Sequence, residues 1–227
     1  MKTLWLLFCL TGSWPAAAQA WESLSISGFE SDSHRQGFAY SGAILQKPIR
    51  GKLSLSLLGM GSFLYYRYPV DSRAARVESP GVHYLAGGRY SWSKEIYLAL
   101  WGGGVTRSNK ILGGSPSQTR GDTGGAFQAE LNFPILKRHS FNALAAYNEK
   151  DSYIWSRLTL KREFHNCFMG IVGTFQGNFQ YKAQQGGLFL ETWNLPGQIS
   201  ASLQGGYKWD SSWGKGGYGA LNFSKQF

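Results

Sequence analysis

The chain has 227 residues, of which 30 are glycine and 15% are aromatic, and its formal net charge is +10. Its mean hydropathy is −0.26, and no apolar run reaches the ~20 residues that a transmembrane helix needs, which excludes a helical membrane protein. The glycine content is about twice the usual ~7%. A polar average with many glycines and aromatics is typical of a membrane β-barrel, whose lumen face is polar and whose aromatics gather at the two interfaces.

The first twenty residues predict a secretory signal peptide. Lys2 supplies the positive charge, Leu4–Leu10 supplies the apolar stretch, and the small-residue motif Ala-Gln-Ala supplies the cleavage site. Cleavage before Trp21 would leave residues 21–227 as one barrel domain. Only Cys167 of the two cysteines would then remain, which excludes a small domain stabilised by internal disulfides.

The rest of the chain reads as short segments of alternating polarity separated by turn residues, which predicts antiparallel strands. We count twelve, although ten or fourteen would also fit. Leu58 and Met60 break the alternation of the third segment, so we expect a β-bulge near Gly59 or Gly61 to restore it. In chain order the segments are residues 21–29, 37–45, 53–67, 82–92, 96–107, 127–133, 140–148, 153–161, 167–176, 180–190, 199–209 and 217–227.

The last segment carries Leu221, Phe223 and Phe227 on one face. An aromatic residue that closes an amphipathic strand resembles the signal by which Gram-negative cells recognise outer-membrane barrels, so we expect the barrel-assembly machinery as a partner. Lys225 departs from that signal, and the terminal strand of a soluble β-sandwich is the alternative for this segment taken alone.

The lengths of the connections favour the barrel. Residues 68–80 and 108–121 form the longest connections, and both fall at odd positions, where the extracellular loops of a barrel belong. The even connections are short. The sequence therefore predicts an all-β, antiparallel transmembrane barrel in the outer membrane of a Gram-negative bacterium, surrounded by lipid and lipopolysaccharide, because only closure satisfies every strand edge in lipid.

Several stretches carry a family resemblance. They are DSHRQGFAYSGAIL at 32–45, YYRY at 65–68, Pro80-Gly81, GDTGG at 121–125 and QGNFQYKAQQGGLF at 176–189. In this order and spacing the chain resembles the cellulose biosynthesis protein BcsS family, small secreted proteins found beside bacterial cellulose synthase genes. The resemblance implies an accessory outer-membrane component of cellulose production or export, with glucan polymer and other cellulose-synthesis components as partners. It supplies no catalytic residues and no cofactor.

Two sets of side chains are candidates for sites on the lumen face. A basic set with few acids beside it would favour anions in a pore, or would pair with acids or bind lipopolysaccharide phosphates instead. An aromatic set could stack on sugar rings, or pack and plug a narrow barrel. The basic set is Arg67, Arg89, Arg107, Arg157, Lys161, Lys182 and Lys208, and the aromatic set is Tyr97, Trp101, Tyr153 and Trp155.

No enzymatic motif, metal-ligand cluster or nucleic-acid motif stands out. Three of the four histidines fall in predicted loops or turns, where solvated surface is expected, and only His83 lies within a strand. Three functions stay open: a non-catalytic accessory barrel of cellulose or exopolysaccharide biosynthesis, a small anion-selective porin, and a barrel enzyme acting on lipid or polymer. A packed lumen would disfavour a conduit, whereas a Ser–His or Asp–His pair would favour the enzyme.

Overall fold

Twelve antiparallel strands close into one barrel, which confirms the predicted fold class and strand count. The computed structural model describes residues 21–70, 73–112, 119–179 and 181–227, so the predicted signal peptide lies outside the described residues. The strands are β1 (Glu22–Asp32), β2 (Gly37–Arg50), β3 (Leu53–Val70), β4 (Arg73–Ser91), β5 (Tyr97–Leu112), β6 (Thr119–Leu136), β7 (His139–Asn148), β8 (Tyr153–Phe164), β9 (Cys167–Gly177), β10 (Lys182–Leu195), β11 (Ile199–Asp210) and β12 (Gly214–Gln226).

The first and last strands form the seam. Each strand pairs with its neighbours in the chain, and β1 pairs with β12 from Leu24 opposite Gln226 to Asp32 opposite Tyr218. Both termini of the barrel therefore lie at one end, and we call the opposite end, where β1 ends at Asp32, the distal end. Closure leaves no unpaired strand edge.

The outer surface is apolar over most of the strands. Leu100, Ile171 and Leu203 are each more than half exposed, and their neighbours in sequence point inward. Leu221, Phe223 and Phe227, the proposed assembly signal, also lie exposed on this outer side. The described residues contain no helix long and apolar enough to cross a membrane. An apolar outer band on a closed antiparallel barrel is the arrangement of a membrane-spanning β-barrel.

The prediction of a β-bulge near Gly59 or Gly61 in β3 is wrong. The register between β3 and β4 runs without interruption from Leu53 opposite Tyr90 to Val70 opposite Arg73. Leu58 and Met60 break the polarity pattern because they point into the lumen and pack there, with Leu58 only 8% exposed. The irregular polarity of this segment therefore results from apolar side chains in the lumen and not from an extra residue in the strand.

The two long loops predicted over residues 68–80 and 108–121 are mostly strand. β3, β4, β5 and β6 contain 18, 19, 16 and 18 residues, whereas β7 contains 10. At ~3.4 Å per residue, these four strands extend well past the others at the distal end. They form a raised wall on one side of the barrel.

The facing of β11 can be tested with two adjacent positions. We expect Leu203→Arg to lower the free energy of unfolding by ~2–4 kcal/mol, because Leu203 faces the lipid. Gln204→Arg is the matched control, because Gln204 faces the lumen and its replacement should cost much less. Urea titrations of the refolded barrel in lipid vesicles measure both, and equal losses would contradict the assigned facing.

Candidate functional site

The lumen is crossed by an apolar layer on the side of the raised wall. Trp101 is 9% exposed and Ala99 is fully buried, although both point into the barrel. Side chains from four consecutive strands form this cluster, and residues of β1 and β2 pack against it. Its members are Leu58, Leu85, Ala99, Trp101, Val105 and Ala126, with Ile26, Ile44, Met60 and Tyr97 against them.

The opposite wall is also filled. Seven lumen-facing positions on β9, β10 and β12 are buried, and all of them carry apolar or uncharged polar side chains. Residues that lined an open channel would be solvated, so their burial shows that side chains occupy much of the cross-section. The buried positions are Val172, Thr174, Ala183, Gln185, Phe189, Tyr218 and Ala220.

Two hydrogen bonds cross the distal mouth. Trp213, in the β11–β12 loop, donates from Nε1 to the carbonyl of Arg67 on β3 at 3.0 Å. Tyr181, before β10, donates from its hydroxyl to Oε1 of Gln36 in the β1–β2 loop at 3.5 Å. Both contacts join elements that are not neighbours in the sheet, so the loops fold over the lumen at this end.

Five of the seven predicted basic residues lie on the lumen face: Arg89, Arg107, Arg157, Lys161 and Lys208. Arg67 and Lys182 do not. Without a bulge in β3, Arg67 keeps the outward phase of Leu53 and lies beside Arg76 of β4. Lys182 is exposed next to the buried, lumen-facing Ala183. The prediction was wrong at these two positions because it assigned the wrong phase to each strand.

The expectation that few acids accompany the basic residues is also wrong. Lys208 Nζ lies 2.5 Å from Asp32 Oδ2, Lys161 lies 3.4 Å from Glu191, and Arg107 lies 4.0 Å from Asp151. These pairs reduce the positive field that an anion-selective pore requires.

The two remaining lumen arginines are placed differently. Arg89 stacks on Tyr97 at 3.7 Å from the ring centroid, and the Tyr97 hydroxyl donates to Glu130 at 2.7 Å. Arg157 lies 5.7 Å from the Trp155 ring, and its buried Nε has no hydrogen-bond partner. Arg89 thus joins a compact network with an acid, whereas Arg157, like Arg107, has a buried Nε without a hydrogen-bond partner.

The four predicted stacking aromatics all point inward, but they form no open platform for a sugar. Arg89 covers one face of Tyr97, and Trp101 is packed in the apolar layer. Tyr153 donates its hydroxyl to Gln176 at 2.9 Å. Trp155 has the same intermediate burial as Tyr97 and Tyr153, and the Arg157 guanidinium lies 5.7 Å from its ring centroid.

A serine–histidine pair lies in the lumen. Ser62 Oγ and His83 Nε2 are 3.2 Å apart on β3 and β4. In the described part of the chain, no carboxylate is hydrogen-bonded or paired with the other ring nitrogen of His83, so the orienting acid of a catalytic triad is missing. Ser62 is 9% exposed, which restricts access to its hydroxyl.

Sequence reasoning missed a polar cluster at the distal end. Asp32, His34 and Asp210 bring candidate metal-ligand atoms within 4.8 Å of one another, and Lys208 and Gln36 lie against Asp32. The expectation of a solvated His34 is wrong, since its side chain is only 18% exposed. The cluster joins residues nearly 180 positions apart, and no local motif in the sequence marks it.

Comparison with models of known protein families identifies the family of this chain. The family model of cellulose biosynthesis protein BcsS matches residues 29–227. The chain belongs to the BcsS family. This match confirms the family resemblance, and the protein is a β-barrel related to cellulose synthesis. No curated protein sequence matches the chain.

Solved structures share the barrel fold. The translocator domain of the autotransporter NalP from Neisseria meningitidis matches with a TM-score of 0.57 at 10% identity, covering 92% of this chain and 88% of that one. The KdgM porin, solved in complex with disordered oligogalacturonate, matches with a TM-score of 0.51 at 6% identity, covering 90% and 99%. The β domain of the Bordetella autotransporter BrkA matches at 0.50 and 12% identity, covering 92% and 99%. At these identities the matches show the fold alone.

The packing of the apolar layer can be tested at a glycine. A Cβ on Gly87 would lie 2.6 Å from the Trp101 ring and would also meet the β5 backbone, whereas a Cβ on Gly59 would meet nothing within 4 Å. We expect Gly87→Ala to destabilise the barrel by ~1–3 kcal/mol through overpacking. Gly59→Ala is the matched control and should leave stability nearly unchanged. Equal urea midpoints for the two variants would show that the layer is loosely packed.

Proposed function

We propose that this BcsS-family barrel is a non-catalytic accessory of cellulose biosynthesis in the outer membrane. It acts as an anchor or assembly factor rather than as an open conduit for glucan. The filled lumen carries this proposal: the apolar layer around Trp101 and the buried positions of the opposite wall occupy much of the space that a polymer would need.

A glucan conduit would need a continuous polar path lined by accessible rings. Trp101 lies inside the apolar layer, and an arginine covers Tyr97. Opening a path past Trp101 would expose apolar surface to water at ~25 cal/mol per Å² and would break its packing. The resting barrel is therefore closed to a polymer, and its contribution comes from its surface and its loops.

The raised wall supplies a surface suited to the outer leaflet. Arg67 and Arg76 are register partners on the outer side, and Arg76 lies 4.8 Å from the Tyr65 ring centroid. Arginine binds phosphate through paired N–H donors. Arg76 already pairs with Glu78 at 2.6 Å. We infer that Arg67 and the remaining donors of Arg76 bind lipopolysaccharide phosphates. This contact would keep the wall beside the outer leaflet, in reach of other cellulose-synthesis components.

The enzyme alternative keeps one observation in its favour, the Ser62–His83 pair at 3.2 Å. A hydrolytic role would require His83 to act as a base for the Ser62 hydroxyl. A structural hydrogen bond between β3 and β4 needs neither an orienting acid nor access for a substrate. The anion-selective porin has less support, because carboxylates accompany most of the lumen bases.

Deleting the gene and restoring it with variants separates these functions. The deletion should reduce extracellular cellulose or disturb its organisation, while synthase activity in isolated inner membranes stays intact. Wild type, His83→Ala and Trp155→Ala should each restore cellulose, because a scaffold needs neither a catalytic base nor a stacking ring. Heat-modifiable migration on a gel confirms that each variant is assembled at wild-type levels.

Each contrary result points to a different function. Failure of assembled His83→Ala to restore cellulose would favour the enzyme, and failure of assembled Trp155→Ala would favour a glucan conduit. Unchanged cellulose in the deletion strain, together with steady anion-selective currents from the purified barrel in planar bilayers, would replace the proposal with the porin.

A further inference from the structure

The distal cluster contains a buried carboxylate oxygen without a donor. The Asp210 side chain is fully buried, and its Oδ1 accepts hydrogen bonds from the backbone N–H groups of Ser212 and Trp213 at 2.9 and 2.7 Å. Its Oδ2 has no hydrogen-bond partner, and neither has the buried Nδ1 of His34. Burying polar atoms without partners costs free energy, so a ligand that contacts both Asp210 Oδ2 and His34 Nδ1 would be stabilised here.

The spacing of these atoms fits a metal ion. His34 Nδ1 and Asp210 Oδ2 lie 3.5 Å apart. Two ligands at ~2.0–2.1 Å from a tetrahedral zinc ion would be separated by about 3.4 Å. Asp32 offers a third ligand atom, with all three atoms within 4.8 Å of one another. We propose that His34, Asp32 and Asp210 bind a divalent transition-metal cation of the Zn²⁺ class at the distal end of the lumen.

The His34 ring is held in position for this role. It stacks against Trp213 with ring centroids 6.4 Å apart, and the backbone N–H of His34 donates to Asp32 Oδ1 at 2.9 Å. Gly216 lies beneath the ring, where a Cβ would come within 2.8 Å of its Cε1. The Asp210 carboxylate is fixed by its two backbone donors, so little reorganisation is needed when an ion binds.

The charges around the site favour a bound cation. Three carboxylates, Glu30, Asp32 and Asp210, lie in this region with two cations, Lys208 and Arg157. When all of them are charged, one negative charge is left over, and a metal cation offsets it. Lys208 shares Asp32 Oδ2 at 2.5 Å, but it also reaches Gln36 Oε1 at 3.1 Å and can stay there when the ion takes its place on Asp32.

Such an ion would brace the barrel across its seam. Asp32 ends β1, His34 lies in the following loop, and Asp210 ends β11, with β12 between the two strands. The three residues supply three protein ligands and leave a fourth tetrahedral position for water. The alternative is a metal-free arrangement in which a protonated His34 forms an ion pair with Asp210, so that Nδ1 and Oδ2 are each other's partners.

Zinc titration of the full barrel distinguishes the two arrangements. The protein is refolded in detergent after treatment with EDTA and carries no histidine tag, and Zn²⁺ binding is followed by calorimetry. We expect one site per chain, with His34→Ala and Asp210→Asn each weakening the affinity at least tenfold. Asp210→Asn keeps an acceptor for the two backbone donors. His165→Ala, in the β8–β9 turn at the opposite end, is the control and should bind as wild type.

A second measurement, the urea midpoint with and without Zn²⁺, keeps the test decisive if a variant folds poorly. Zn²⁺ should raise the urea midpoint of the wild-type barrel and of His165→Ala, and it should leave the midpoints of His34→Ala and Asp210→Asn unchanged. Absence of a stoichiometric site in the folded wild type would overturn the proposal in favour of the His34–Asp210 ion pair. Equal affinity in wild type and the two ligand variants would overturn it as well, because the zinc would then bind elsewhere.

Discussion

Backbone hydrogen bonding between β1 and β12 is the constraint on which the rest of the structure depends. A strand edge exposed to lipid would leave a row of N–H and C=O groups unpaired, at several kcal/mol for each group. The seam from Leu24 to Asp32 removes that edge. Once the sheet is closed, every strand has a lipid face and a lumen face, and the alternation of side chains decides which chemistry each face presents.

Closure brings the inward-facing side chains of all twelve strands together, and in this barrel they include a packed apolar layer. The raised wall contributes an apolar layer that includes Leu58 and Trp101, and acids and bases elsewhere in the lumen form pairs such as Lys161–Glu191 and Lys208–Asp32. Loops then cross the distal mouth through Trp213 and Tyr181. A barrel filled in this way offers a polymer little open space, which is why we propose that its function depends on its outer surfaces and its distal end.

The sequence predicted the lumen residues correctly only where it also predicted which side chains of a strand face inward. A strand reverses the facing of all its side chains when its assumed phase changes by one residue. Arg89 and Arg157 lie in regular segments, and their facing was predicted correctly. Arg67 follows the irregular stretch of β3, and Lys182 opens a glycine-rich strand, and both were assigned to the wrong face. The acids that pair with the bases were visible in the sequence, but their partners lie 30 to 176 residues away.

The sequence by itself determined the strand number, the antiparallel order and the family, because period-two polarity and turn residues are local signals that need no partner. It could not decide which face of a strand looks inward. Leu24 and Ile26 alternate with serines in β1, and only the packing of Ile26 against the lumen cluster assigns the apolar side to the interior. The tertiary structure alone brought Asp32 and His34 to Asp210, because barrel closure joins residues from the two ends of the chain.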